Sequence, residues 1–144
     1  MKKLLVALDG SPRADGTLSA AISMAQLMRA KLVLFRAVGL PTAIPQNLWA
    51  LSGDSLEDTL RRDAEEYLAR VAKGVPAEVF AATLVSVGAP WQAVCKAARD
   101  QNADLVVIGA HGYGGVDALI GTTAAKIVNH CDRPVLVVRP VPKG

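Results

Sequence analysis

Aromatic residues are scarce in this chain: two tryptophans, two tyrosines and two phenylalanines among 144 residues. A core must therefore be filled by aliphatic side chains, and the 51% hydrophobic content is mostly Ala, Val and Leu. Such a composition suits an interior of aliphatic strands and small-residue helix faces. Cysteine is almost missing. Cys95 and Cys131 have no metal-ligand spacing, and the default that follows is a reduced, cytoplasmic protein. A strong excess of either charge is also lacking. The net charge is +3, with lysines and arginines scattered among the acids. The one richly charged segment sets Arg61, Arg62 and Arg70 among Glu57, Asp58, Asp63, Glu65 and Glu66, which describes a solvated helix face rather than a nucleic-acid patch. Long apolar runs are absent, so no membrane span is expected. The amino-terminal run Leu4 to Leu8 stops at Asp9 and reads as a strand, not a signal peptide.

What is present is a regular alternation of periodicities over a length that suits one domain, residues 1–144. Strand one spans Lys3 to Leu8. Ser11-Pro12 starts a helix with the stripe Leu18, Ala21, Ile22, Ala25 and Met28. Strand two spans Lys31 to Val38. A long connection, Gly39 to Asp54, contains Pro41, Pro45 and Trp49, and its length suggests a mobile flap. Ser55 and Asp58 resemble a capping box for a second helix facing inward through Leu56, Leu60, Ala64, Tyr67 and Val71. Strand three runs from about Glu78 to Val87, and Pro90 suits the first turn of a third helix carrying Trp91, Val94, Ala97 and Ala98 inward. Strand four is Asp104 to Ile108. Helix four shows Ala124, Ile127, Val128 and Cys131 on one face, and strand five is Val135 to Arg139. Strands separated by helices imply an open parallel α/β sheet with helices on both faces. Strand order is not readable from these patterns.

The junction of strand four and helix four carries the chemistry. The strand runs into Gly109, Ala110, His111, Gly112, Tyr113, Gly114 and Gly115, and Gly121 then precedes Thr122 and Thr123 at the helix start. Glycines let backbone N–H groups converge, and the unpaired amides of a helix end favour anions, a nucleotide phosphate above all. The terminal Gly-Lys-Ser/Thr of a P-loop is missing, and the spacing is not that of the dinucleotide fingerprint.

Gly109-x-x-Gly112, a spacer, Gly121-Thr122 and then the strand Pro134 to Val138 closely resemble the ATP-binding subgroup of the universal stress protein family. Two departures stand out. The spacer Tyr113 to Ile120 has eight residues where the family usually has nine, and threonine replaces serine. The missing residue can displace Gly121 relative to Gly112 by up to roughly 3.5 Å, which bears on the triphosphate more than on the adenine.

The resemblance implies a five-stranded sheet of order 3-2-1-4-5, an adenine nucleotide α-hydrolase-like fold, with the switch point between strands one and four. Ligands of open α/β sheets bind at such a point. The nucleotide would then meet Asp9 at its ribose, Ala37 and Val38 with Ala7, Leu8 and Ile108 at its adenine, and Gly109, Ala110, Gly112, Gly114, Gly115, Gly121, Thr122 and Thr123 at its phosphates. Each has an ordinary structural alternative: Asp9 could cap helix one with Ser11, and the apolar residues could be plain core. A carboxylate belongs at the sugar end, since phosphates would repel it. His111 reads as a solvent-facing loop residue, Lys126 as solvated or phosphate-reaching, and His130 as a helix-end dipole contact rather than a metal ligand.

The expected ligand is ATP or AMP, with or without Mg²⁺. The family also commonly pairs strand five with its two-fold mate, so Val135, Leu136, Val137, Val138 and Arg139 are the expected homodimer interface. No catalytic constellation and no metal site can be identified, and the leading expectation is a nucleotide-binding stress-response module without nucleic-acid or membrane partners. Two alternatives stand beside it: a slow ATP-hydrolysing or adenylate-transferring enzyme, and a dimeric adaptor that binds no nucleotide.

Overall fold

A computed structural model describes residues 2–39, 46–110 and 121–139, with side chains described outside 46–55. Five strands, β1 (Lys3–Ala7), β2 (Lys31–Val38), β3 (Phe80–Val87), β4 (Leu105–Gly109) and β5 (Val135–Val138), form one parallel sheet of order β3-β2-β1-β4-β5. Four α-helices connect them: α1 (Ala14–Met28), α2 (Gln46–Ala72), α3 (Pro90–Asp100) and α4 (Thr122–His130). A short 3-10 turn, Ala77–Val79, leads into β3, so the strand begins two residues later than Glu78.

The interiors of β1 and β4 and residues 32–35 of β2 are apolar without interruption because both faces of the sheet are covered there. Side-chain alternation sorts them onto two layers. Leu4, Val6, Leu32, Leu34 and Val107 face one way and pack with Ala21 and Ala25 of α1 and Leu68 of α2. Leu5, Val33, Phe35, Val106 and Ile108 face the other way and pack with Val94, Ala97 and Ala98 of α3 and Ala124 and Ile127 of α4. Phe35 is fully buried and is the largest side chain in this core. The aliphatic interior expected from composition is the one observed.

Several boundaries differ from expectation. Helix α2 begins at Gln46, so most of the expected Gly39–Asp54 connection is helical, and Ser55 lies inside the helix instead of capping it. Residues 40–45 of that connection lie outside the described residues. Among the described α2 side chains the deepest is Leu68, next to the expected Tyr67. Val128 is 44% exposed and belongs to the outer face of α4. Pro90 occupies the first turn of α3 as expected, where its missing N–H costs no helical hydrogen bond.

Two helices end on non-glycine residues in the left-handed region. Arg29 (φ 54°) closes α1 and Asn102 (φ 53°) follows α3. The Ala30 N–H donates to the Ala25 carbonyl at 2.8 Å, and the Ala103 N–H to the Ala98 carbonyl at 2.9 Å. These six-to-one bonds satisfy the last carbonyls and turn each chain straight into the next strand.

Candidate functional site

The order of strands places β1 beside β4, with the chain leaving them toward α1 on one face and α4 on the other. At their carboxyl ends lies a crevice of about 450 Å³. That volume falls in the range of small-ligand sites, roughly 300–1,000 Å³. Its floor is Ala7 and Leu8 of the β1 end, Ala37 of β2 and Ile108 and Gly109 of β4. Ala14 and Thr17 of α1, with Pro90 and Val94 of α3, form apolar walls. Asp9, Ser11 and Arg36 bring polar groups to it, and Thr122, Thr123, Ala124 and Ile127 of α4 complete it.

Each polar feature has a local cause. The Asp9 carboxylate accepts the Ser11 N–H at 2.9 Å, which folds the β1–α1 turn back on itself. Helix α1 starts later, at Ala14, and its N-cap residue, Arg13, makes no side-chain cap bond. Asp9 therefore shapes the turn and does not act as the N-cap of α1. Ser11 Oγ is buried with no hydrogen-bond partner among the described residues, although it lines the crevice. A buried hydroxyl in that condition costs free energy until something supplies a partner.

Helix α4 presents a second set of donors. Gly121 is its N-cap and makes no side-chain cap bond, and the first helical bond runs from the Ala125 N–H to the Gly121 carbonyl. The amides of Thr122, Thr123 and Ala124 thus lie ahead of the helical hydrogen-bond ladder, at the positive end of the helix dipole and on the crevice wall. Gly121 itself sits at φ −63°, a conformation open to any residue. Its glycine is not required by backbone strain.

Arg36 was not anticipated from sequence. It is the single charged side chain within the inner run Leu32 to Val38, on the face that carries Leu32 and Leu34. Its guanidinium lies 4.8 Å from the Tyr67 ring centroid of α2. Gly10 adopts φ +78°, which favours glycine, and a Cβ there would stand 2.7 Å from Arg36 Nη1, so the flexible guanidinium would have to shift. Burial raises the Tyr67 phenol above its ordinary value, with Arg36 opposing the rise and Asp9 adding to it. An isolated arginine near the carboxyl end of an apolar strand was the available signal.

Of the residues expected from sequence, Ala7, Leu8, Asp9, Ala37, Ile108, Gly109, Thr122 and Thr123 meet in this crevice. Val38, Ala110 and Gly121 do not line it. The Val38 carbonyl accepts the Gly88 N–H at 2.9 Å, and the Ala110 N–H donates to the Val138 carbonyl at 2.9 Å, so both backbone groups extend the sheet. Gly112, Gly114, Gly115 and His111 lie outside the described residues. Lys126 is exposed and away from the lining. His130 occupies the last turn of α4 and its Nδ1 proton donates to the Lys126 carbonyl at 2.8 Å, the helix-end contact expected for it. Among the described residues no group of three His, Cys, Asp or Glu side chains could hold a metal ion, and no helix is long and apolar enough to cross a membrane.

The model of the universal stress protein family matches residues 1–139. The chain belongs to the universal stress protein family. A universal stress protein of Thermus aquaticus is 33% identical, covering 96% of this chain and 98% of its own length. The solved universal stress protein UspA of Lactobacillus plantarum shares the fold with a TM-score of 0.77 at 23% identity, covering 96% of this chain and 97% of its own. Another solved universal stress protein, in complex with cAMP, aligns with a TM-score of 0.62 at 24% identity, covering 96% of each chain. The sheet order β3-β2-β1-β4-β5 is the one that universal stress proteins share, and here it forms the crevice between β1 and β4.

Proposed function

We propose that this universal stress protein binds an adenine nucleotide, ATP or AMP, in the crevice beyond β1 and β4. The observation that carries the reading is the convergence of an apolar floor, the unpartnered Ser11 hydroxyl and the uncapped amino-terminal amides of α4 in one cavity. The adenine lies against Ala7, Leu8, Ala37 and Ile108. Asp9 accepts from the ribose hydroxyls, and Ser11 Oγ finds its partner on the sugar or the first phosphate. Thr122 and Thr123, with their amides, face the phosphates together with the glycine loop between Gly109 and Gly121. Val38, Ala110 and Gly121 support this shell through the backbone. A bound Mg²⁺ would ride on the phosphates, as the described residues offer it no carboxylate cluster. The solved relative that holds cAMP supports a nucleotide of this class.

The module acts without a catalytic residue of its own, as residues 1–144 of one cytoplasmic domain that pairs into a homodimer. Val135, Leu136, Val137 and Val138, with Arg139 following, form the interface. β5 is the edge of the sheet, and its four residues are only half-buried. An apolar edge strand invites pairing with a second copy. A dimeric adaptor without nucleotide is the second reading, favoured by the spacer of eight residues between Gly112 and Gly121. The test is to denature freshly purified protein and identify released small molecules by mass spectrometry. An adenine nucleotide near one per chain is the expected result; its absence, together with no binding on addition of ATP or AMP, favours the adaptor.

A further inference from the structure

Helices α3 and α4 lie together on one face of the sheet, and their side chains meet at two successive levels. The Trp91 ring of α3 packs against the His130 ring in the last turn of α4, with centroids 4.7 Å apart and planes tilted by 42°. One turn further along α3, Cys95 lies between Trp91 and Arg99, just as Cys131, the residue that closes α4, lies between their respective partners His130 and Asp132. Both cysteines are free; Cys95 is buried and Cys131 half-buried. They are 36 residues apart in sequence (131 − 95), so the fold alone brings them together.

We propose that Cys95 and Cys131 form a reversible dithiol–disulfide site, oxidised by hydrogen peroxide or an organic hydroperoxide, that cross-links α3 to α4. A disulfide needs sulfurs about 2.0 Å apart and Cα atoms within roughly 4.4–6.8 Å. Cys131 can supply the adjustment, because its backbone (φ −73°, ψ 139°) has already left the helix. The half-buried Cys131 is the sulfur that meets the oxidant. Its thiolate attacks the peroxide, a sulfur–oxygen bond forms as the oxygen–oxygen bond breaks, and the leaving hydroxide or alkoxide takes the proton lost by the Cys131 thiol to become water or an alcohol. Cys95 then attacks the sulfenic sulfur. The sulfur–sulfur bond forms, the sulfur–oxygen bond breaks, and the hydroxyl leaves with the Cys95 proton as water. The two thiols lose two electrons and the peroxide gains them.

The roles follow from the surroundings of the two sulfurs. Burial, with Cys131 beside it, pushes the Cys95 thiol up to about 11, so Cys95 does not initiate attack on the peroxide; it reacts second, giving up its proton to the departing hydroxyl as it attacks the sulfenic sulfur. The Arg99–Asp132 pair, 3.6 Å apart, brackets the site from the ends of the same two segments. On the nucleotide reading above, the cross-link also fixes the spacing between two walls of the crevice, since Pro90 and Val94 precede Cys95 on α3 and Thr122 opens α4. The redox site itself does not depend on that reading.

The experiment treats the reduced full-length protein with hydrogen peroxide and maps its peptides without reduction. The expected result is one intrachain Cys95–Cys131 linkage, with loss of two hydrogens and of both alkylatable thiols, fully reversed by dithiothreitol. In Cys95→Ser, Cys131 should instead be trapped by dimedone as sulfenic acid, an adduct that the wild type does not accumulate. Wild-type protein in which Cys131 proceeds to sulfinic acid while Cys95 remains alkylatable overturns the proposal. So does a wild type in which both thiols stay free or link only between chains. Nucleotide affinity measured on the oxidised and reduced forms reports the coupling separately.

Discussion

Replacing Asp9 by asparagine isolates the charge of one side chain from its part in the fold. The carboxylate accepts the Ser11 N–H at 2.9 Å, and an asparagine carbonyl can accept the same bond, so the β1–α1 turn should survive. Asp9 is exposed, and the change in folding stability should stay within about 0.5 kcal/mol. Binding should respond differently. A hydrogen bond to a charged group contributes about 1.5–3 kcal/mol and a neutral one about 0.5–1.5. Losing the charge at the ribose therefore costs about 1–1.5 kcal/mol, or roughly a five- to twelvefold weaker affinity for adenosine. ATP carries a compensating gain. With phosphates roughly 8 Å from the carboxylate, each phosphate charge removed from its repulsion recovers about 0.5 kcal/mol in water. ATP should thus lose less than adenosine, roughly two- to fivefold when the nearest phosphate charge alone is counted, and the two losses should converge at high salt as the repulsion is screened. Isothermal titration calorimetry of both ligands on both proteins, at two salt concentrations, reads this directly. Unchanged adenosine affinity in Asp9→Asn, or a larger loss for ATP than for adenosine, would refute the placement of Asp9 at the sugar.

Other consequences concern the frame around the site. Gly10→Ala forces an L residue into φ +78° against the Arg36 guanidinium and should cost about 1–2 kcal/mol in urea unfolding; no loss would contradict the requirement for glycine. Arg29→Gly relieves the left-handed residue that ends α1 and should stabilise the protein by about 0.5–1 kcal/mol, net of the entropy that glycine adds to the unfolded chain. Cys95 has a thiol raised from 9.0 to about 11, so the stability its neutral form contributes is complete below pH 9.0 and lost as pH rises through about 11. Relative to Cys95→Ser, the wild type should therefore weaken in that alkaline window, and an equal alkaline profile for the two would count against a buried Cys95 thiol.

Much of the fold is legible in the chain because burial on both faces of a parallel sheet writes its inner strands as mostly aliphatic runs. β2 falls at Lys31–Val38 as expected, and Pro90 and Gly121-Thr122 mark the starts of α3 and α4. The order of strands is different in kind. It depends on pairings between residues far apart, such as Leu5 with Val106, which no local pattern records, and it became available only through the family resemblance. The amino-terminal turns of α2 were missed because Ser52, Gly53 and Asp54 have the composition of a turn, yet the helix continues through them from Gln46. Val128 lies on the outer face of α4 because a valine at helical spacing is not by itself a core residue. At the site, the donors at the α4 start could be anticipated from the glycine and threonines that open the helix, while the strand ends were implied by the family resemblance. Arg36, the buried Ser11 hydroxyl and the juxtaposition of Cys95 and Cys131 could not, since each depends on what another element packs against it.

The central claim is that an adenine nucleotide sits between the ends of β1 and β4. Backbone amide chemical shifts recorded while ATP is titrated into isotope-labelled protein test it most directly. The largest changes should fall at Leu8 to Ser11, Ala37, Gly109 and Thr122 to Ala124, saturating together with one affinity, while α2 beyond Tyr67 and the exposed face of β3 stay unmoved. No saturable change at those residues, or a cluster of changes elsewhere on the molecule, would contradict the claim.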